Sequence, residues 1–168
     1  TTFFFSEGWV NLMYEYAITN IFAPWIQLKN INMSGENPNK EMYAIAQISK
    51  IMGLHRSTDK FGPIPYKQVG NGSFTVEYDS QESVYRSFFE ELDEAVTVLY
   101  DFYMKANNTV PMASDVVYEG DVTKWIRLAN SLMLRLAIRV RYADEVLART
   151  YAEKAIKNPI GVMESIDD

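Results

Sequence analysis

The sequence predicts an all-α chain of antiparallel helix pairs joined by a few long loops, and three observations carry that reading. Apolar residues recur at three- and four-residue spacing over most of the 168 residues. Asp79, Asp121 and Asp144, residues that favour helix starts, stand directly before three of those runs. Two of the predicted helices are separated by so few residues that they must fold back on each other.

The first helix is expected from about Ser6 to Phe22, with Trp9, Leu12, Met13, Tyr16 and Ala17 on its apolar stripe and Pro24 closing it. A polar loop, Asn30 to Asn39, follows. A second helix starts with Asn37 as cap and Pro38 in the first turn, where a missing N–H costs nothing, and ends near His55. The prolines and glycine of Asp59 to Tyr66 exclude helix there. Gly70-Asn71-Gly72 marks a turn, and Phe74 to Tyr78 reads as a short β-like run.

The third helix opens on a capping box, Asp79 with Glu82, and presents Tyr85, Phe88, Phe89, Leu92, Val96, Leu99 and Tyr103 on one face. After a loop from Asn107 to Val117, the fourth helix runs from the Asp121 cap to about Tyr142. Its stripe of Trp125, Leu128, Ala129, Leu132, Leu136 and Val140 is widened by Ile126, Met133, Leu134 and Ile138, which predicts burial on more than one side. Asp144 caps a fifth helix that stops at Asn158-Pro159. Helix pairs in succession predict a tetratricopeptide-like stack, although the strict repeat signature is absent.

Composition excludes several functions. A net charge of −6 argues against nucleic acid, whose phosphates call for a basic footprint. With no cysteine there is neither a disulfide nor a thiolate metal site, and no cofactor is expected. No stretch approaches the ~20 apolar residues that span a bilayer. Three Trp, eleven Tyr and nine Phe exceed what an ordinary core uses and leave rings for a ligand-stacking surface. The Thr1-Thr2-Phe3-Phe4-Phe5 start and the Gly161 to Asp168 ending both read as cut or processed boundaries, and residues 1–168 as one helical region of a larger protein.

Two charged groupings have competing readings. Glu90, Glu91, Asp93 and Glu94 offer paired carboxylates for glycoside hydrolysis, or a solvated face that pairs with arginines of a neighbouring helix. Arg127, Ser131, Arg135 and Arg139 lie four residues apart on one face of the fourth helix. They either bind an anion or pair with the acids of the third helix. His55 is the one histidine, too few for a two-histidine metal site, and is expected near a helix C-terminus.

One block goes beyond generic helix. Tyr118-Glu119-Gly120-Asp121, Lys124-Trp125 and Ala129-Asn130-Ser131-Leu132-Met133-Leu134-Arg135-Leu136-Ala137-Ile138-Arg139 resemble the SusD/RagB family pattern. That pattern has a Tyr-x-Gly-Asp lead, a Lys-Trp, and Ala-Asn-Ser-Leu-x-Leu-Arg-Leu-Ala-x-Arg. The Gly62 to Tyr66 turn, Tyr78 to Tyr85 with Glu91 to Ala95, and Ile160 to Ser165 also resemble family segments, in the right order.

The resemblance implies the N-terminal helical part of a larger SusD-like fold. It implies a lipid-anchored protein on the cell-surface side of the Bacteroidetes outer membrane. The anchor would be an upstream cysteine that this chain does not contain. Such a protein captures an oligosaccharide or peptide, without catalysis, for a TonB-dependent transporter of the SusC type. The best candidate ligand contacts are Trp25, expected to emerge where Pro24 ends the first helix, with Gln27, Asn30 and Asn32 in the loop it feeds. Trp9 and Trp125 are assigned to the core. The competing readings are an intracellular tetratricopeptide-type scaffold and an all-helical glycosidase using Glu90 to Glu94.

Overall fold

The computed structural model describes residues 7–105, 108–111, 115–165 and 168, leaving the side chains of Glu7, Trp9, Val10 and Met13 outside that description. The expected core position of Trp9 therefore falls outside the described side chains. The helices are α1 (Glu7–Ala17), α2 (Ala23–Met33), α3 (Lys40–Phe61), α4 (Gln81–Met104), α5 (Val122–Val140) and α6 (Glu145–Lys157). A π-helical turn, Ile18–Phe22, joins α1 to α2. They stack in succession, α2 on α3, α3 on α4, α4 on α5 and α5 on α6, in a tetratricopeptide-like arrangement of antiparallel pairs. None of the described helices is long and apolar enough to cross a membrane.

The first predicted helix does not stop at Phe22. Within the π turn the Ala23 N–H reaches back five residues to the Ile18 carbonyl. That widened turn carries the chain past Pro24, whose ring and missing N–H would otherwise break the ladder. The segment predicted as a loop from Asn30 is therefore helical to Met33. At the same level Gly53 lets α3 approach closely, since a Cβ there would lie 2.6 Å from Ile21 Cδ1.

The start of α3 is set by Asn39, not Asn37. Its side chain accepts from the Met42 N–H, and its own N–H binds the Asn32 carbonyl at 2.7 Å, tying α2 to α3. The helix runs six residues beyond His55 and ends at Gly62, whose φ of 74° only glycine adopts easily. The α4 cap is Ser80, which accepts from the Ser83 N–H, so the expected Asp79–Glu82 box does not form. Asp79 instead accepts from the Tyr66 and Lys67 N–H groups and pairs with Ile64 in an isolated antiparallel bridge. Phe74 to Tyr78 forms no strand, and Phe74 is fully exposed.

Asp121 and Asp144 cap α5 and α6 as expected. The stripe of α4 is buried from Tyr85 through Leu99. On α5, Ile126 and Met133 are buried beside Trp125, Ala129, Leu132 and Leu136, whereas Ile138 stays exposed. The helix ends at Val140, two residues short of expectation, because the turn that follows reverses the chain at once: the Ala143 and Asp144 N–H groups both bind the Val140 carbonyl.

The approach to α5 is built around one carboxylate. Asp115 accepts from Trp125 Nε1 at 2.7 Å and from the Gly120, Val117 and Tyr118 N–H groups. Burial alone would raise its pKa, but the indole and the three backbone donors hold it below the usual carboxylate range. Gly120 has a φ of 81°, and a Cβ there would lie 2.2 Å from the Val110 carbonyl oxygen. Backbone bonds between Val110 and Gly120 and between Val122 and Asn108 complete the bracket.

Three outcomes follow from this bracket. Trp125 is 3% exposed, so Trp125→Ala is expected to cost about 3–5 kcal/mol in urea unfolding, and a loss below about 1 kcal/mol would place the ring outside the core. Gly120→Ala combines a left-handed backbone with a backbone clash and is expected to cost about 2 kcal/mol or more. Asp115 has a lowered folded pKa, so its contribution is complete above the unfolded value of about 4 and is lost as the pH falls through the folded value. Asp115→Asn should therefore destabilise at neutral pH, with the gap to the parent closing in unfolding titrations below about pH 4.

Candidate functional site

The helix pairs bring together groups that are distant in sequence. The most constrained cluster centres on Lys50, which is 3% exposed on α3. Its ammonium lies 2.8 Å from Glu91 on α4, 4.0 Å from the Trp25 ring centroid on α2 and 4.6 Å from that of Tyr66. Tyr66 donates its hydroxyl to Glu91 at 2.5 Å. Burial pulls the Lys50 ammonium pKa down, and Glu91 pulls it back. Burial, with Glu91 beside it, holds the Tyr66 phenol well above its ordinary value. Tyr43, about two turns before Lys50 on α3, is pushed up to about 12 by burial and by Glu91 and Glu94.

This cluster redefines the candidate contacts at Trp25. Trp25 is half-buried, packed edge-on by Phe22 and tilted against Tyr43, with Lys29 as a second cation 5.4 Å from its centroid. It does not emerge at a helix-to-loop corner, because α2 continues. Helical periodicity also separates the four candidates. Trp25 and Asn32 share one face, and the buried Asn32 amide is committed to the Leu28 carbonyl at 2.9 Å. Gln27 and Asn30 share another face and are exposed.

The acidic run is likewise divided. Glu91 serves Lys50 and Tyr66, Asp93 pairs with Lys154 on α6, and Glu90 and Glu94 are exposed. Arg127, Ser131 and Arg139 of the arginine stripe find partners other than those acids. Arg139 binds Asp59 at 2.8 Å, Arg127 binds Asp168, and Ser131 accepts from the Met163 N–H. The chain after α6 thus folds back along α5, with Asn130 donating to the Gly161 carbonyl. His55 is 3% exposed, its Nδ1 3.2 Å from the Ile51 carbonyl, and burial with nearby Arg135 holds its pKa below normal. It is thus a core histidine rather than a helix-end cation. Among the described residues no cluster of ligating side chains could hold a metal ion.

A second grouping joins four elements at the start of α4. Asp59 accepts the Tyr85 hydroxyl at 2.5 Å while pairing with Arg139. Arg86 bridges Glu82 and Asp144, and Gln81 donates to the Thr58 carbonyl. Between these groups lies an open cleft of about 610 Å³. Sequence spacing did not reveal either grouping. The available signal for the first was Lys50 itself, a lysine in register with Tyr43, Ala46 and Gln47 on the core side of α3.

The comparisons with known proteins agree with this architecture. A family model described as "SusD-like: Susd and RagB outer membrane lipoprotein" matches residues 1–168. A chitin-binding SusD homolog from Flavobacterium johnsoniae is 36% identical, with a TM-score of 0.88 over 95% of this chain and 33% of that one. A SusD homolog from Bacteroides vulgatus is 34% identical, with a TM-score of 0.87 over 97% of this chain and 32% of that one. One from Bacteroides uniformis is 40% identical, with a TM-score of 0.77 over 88% and 30%. No curated protein matches. The chain spans about a third of the length of these solved structures. By its match along all 168 residues, and by a shared fold at more than 30% identity, the chain belongs to the SusD-like family.

Proposed function

We propose that this chain is the helical part of a surface glycan-binding protein that captures an oligosaccharide and passes it to a TonB-dependent outer-membrane transporter of the SusC type. Family membership carries the reading, because the family is described as outer-membrane lipoproteins and a solved homolog as chitin-binding. A lipid anchor upstream of this chain would hold it on the cell-surface side of the outer membrane. The scaffold alternative needs only helix pairs, whereas the bracket at Asp115 to Trp125 is what sets this chain apart from a generic stack.

The function is capture rather than hydrolysis. Hydrolysis needs two carboxylates on opposite sides of a glycosidic bond. Here Glu90 and Glu94 sit one turn apart on the same exposed face of α4, and Glu91 is tied to a buried cation. On α2, Gln27 and Asn30 supply exposed amides suited to sugar hydroxyls, while Trp25 and Asn32 hold the helix beneath them. A peptide is the second ligand class, since the same amides bind backbone groups.

Calorimetry of the full-length protein against neutral glycans and peptides tests this. A neutral oligosaccharide is expected to bind, and the double variant Gln27→Ala/Asn30→Ala to bind about tenfold more weakly, as for the loss of one or two net hydrogen bonds. Trp25→Ala should lower the thermal midpoint as well as the affinity, because it uncovers Lys50. Unchanged affinity in the double variant would remove α2 from the site. Binding of peptides alone would replace the glycan reading.

A further inference from the structure

The cleft at the start of α4 has the construction of a sugar-binding surface and lies apart from the α2 face. Its lining comes from the end of α3 (Asp59), the start of α4 (Gln81, Glu82, Tyr85) and the α5–α6 hairpin. Lys50 and Asp59 are nine residues apart on α3, so the Trp25 cluster and the cleft are separated by about 13 Å along that helix. The volume of about 610 Å³ falls within the roughly 300–1,000 Å³ usual for small-ligand sites.

Three features point to its ligand. Tyr142 lines the cleft and is 88% exposed, in a hairpin too short to move it far. The Arg141 guanidinium stacks 4.3 Å from its ring centroid and donates to its hydroxyl, which leaves the opposite ring face open. A flat ring held in this way suits the C–H face of a sugar. The polar rim is already ordered by internal bonds: Asp59 between Tyr85 and Arg139, and Arg86 between Glu82 and Asp144. Groups fixed before binding need little ordering when a ligand arrives. Gln81 donates to Thr58, so its side-chain oxygen remains an acceptor for a hydroxyl.

Charge narrows the class. The rim acids Asp59, Glu82 and Asp144 are matched by three arginines, Arg86, Arg139 and Arg141, each already engaged with a carboxylate or with Tyr142. A uronic-acid or sulfated chain would therefore gain no net attraction there, whereas a neutral one has no charge to match. We propose that this cleft is a subsite for a neutral oligosaccharide, with Tyr142 as the stacking platform and Gln81, Glu82 and Asp144 as the hydroxyl-binding rim. This rests on the glycan-capture reading and names its substrate class and a second contact surface.

The test is calorimetry of the full-length protein with a neutral N-acetylglucosamine oligomer, a neutral glucan oligomer and an oligogalacturonate, on the parent, Tyr142→Ala and Tyr142→Trp. The expected result is binding of a neutral oligomer but not the galacturonate. Tyr142→Ala should weaken that binding about tenfold at an unchanged thermal midpoint, and Tyr142→Trp should retain it. Neutral-glycan binding untouched in Tyr142→Ala would overturn the subsite while leaving the capture reading intact. A lowered thermal midpoint without loss of affinity would also overturn it, by showing that another part of the protein covers the ring. Stronger binding of the galacturonate than of either neutral oligomer would overturn the charge assignment, and absence of any glycan binding would overturn both readings together.

Discussion

The Lys50 ammonium is the point on which three helices and a turn converge. A charge this deeply buried is tolerated only with a partner and further contacts, since desolvation costs several kcal/mol. Glu91 provides the partner from α4, Trp25 a ring face from α2, and Tyr66 a second ring from the turn after α3. Each element is thereby fixed relative to α3. The π turn of α1–α2 matters because it delivers Trp25 to that position, and the Gly62 turn matters because it delivers Tyr66. Desolvation offsets much of what such a pair gains, and a slipped helix would leave the charge without a partner.

The start of α5 is held by a different device. Asp115 gathers four donors, one of them the indole of Trp125, and so joins the loop before α5 to its first turns. The family-like block can be read physically from this. Gly120 stands where a Cβ would strike the Val110 carbonyl, Asp121 caps the helix, and Trp125 reaches back to Asp115. Asn130 and Ser131 then receive the chain that returns after α6. As far as Ser131 the block encodes a loop–helix joint and a docking strip, while its end, Ile138 and Arg139, borders the cleft.

With those residues committed to structure, the surfaces left for recognition lie elsewhere. One is the exposed face of α2. The other is the cleft where the ends of α3 and α5 meet the starts of α4 and α6. The hubs act on them through α3 on one side and the start of α5 on the other.

The helical class, the apolar faces of α4 and α5 and the caps at Asp121 and Asp144 were legible in the sequence. These are local features, set by periodicity and by side chains that reach backbone three residues away. The family block was legible for the same reason, being contiguous. Only the tertiary structure decided that α1 runs on through Pro24 into α2, because the turn that absorbs the proline depends on packing against Gly53. Likewise, Ser80 caps α4 because Asp79 is drawn to the Tyr66 turn. Arg139 and Arg127 of α5 pair with Asp59 and Asp168 and not with the acids of α4, because packing brings the end of α3 and the returning chain within their reach. The candidate site was legible only as a list of residue types: Trp25, Gln27, Asn30 and Asn32 fall on two faces of one helix, and Tyr142, Gln81 and Asp59 come from three segments. Local rules specify what a residue does to its own turn of chain, whereas long-range partners are chosen by which charges and rings the packed helices bring within reach.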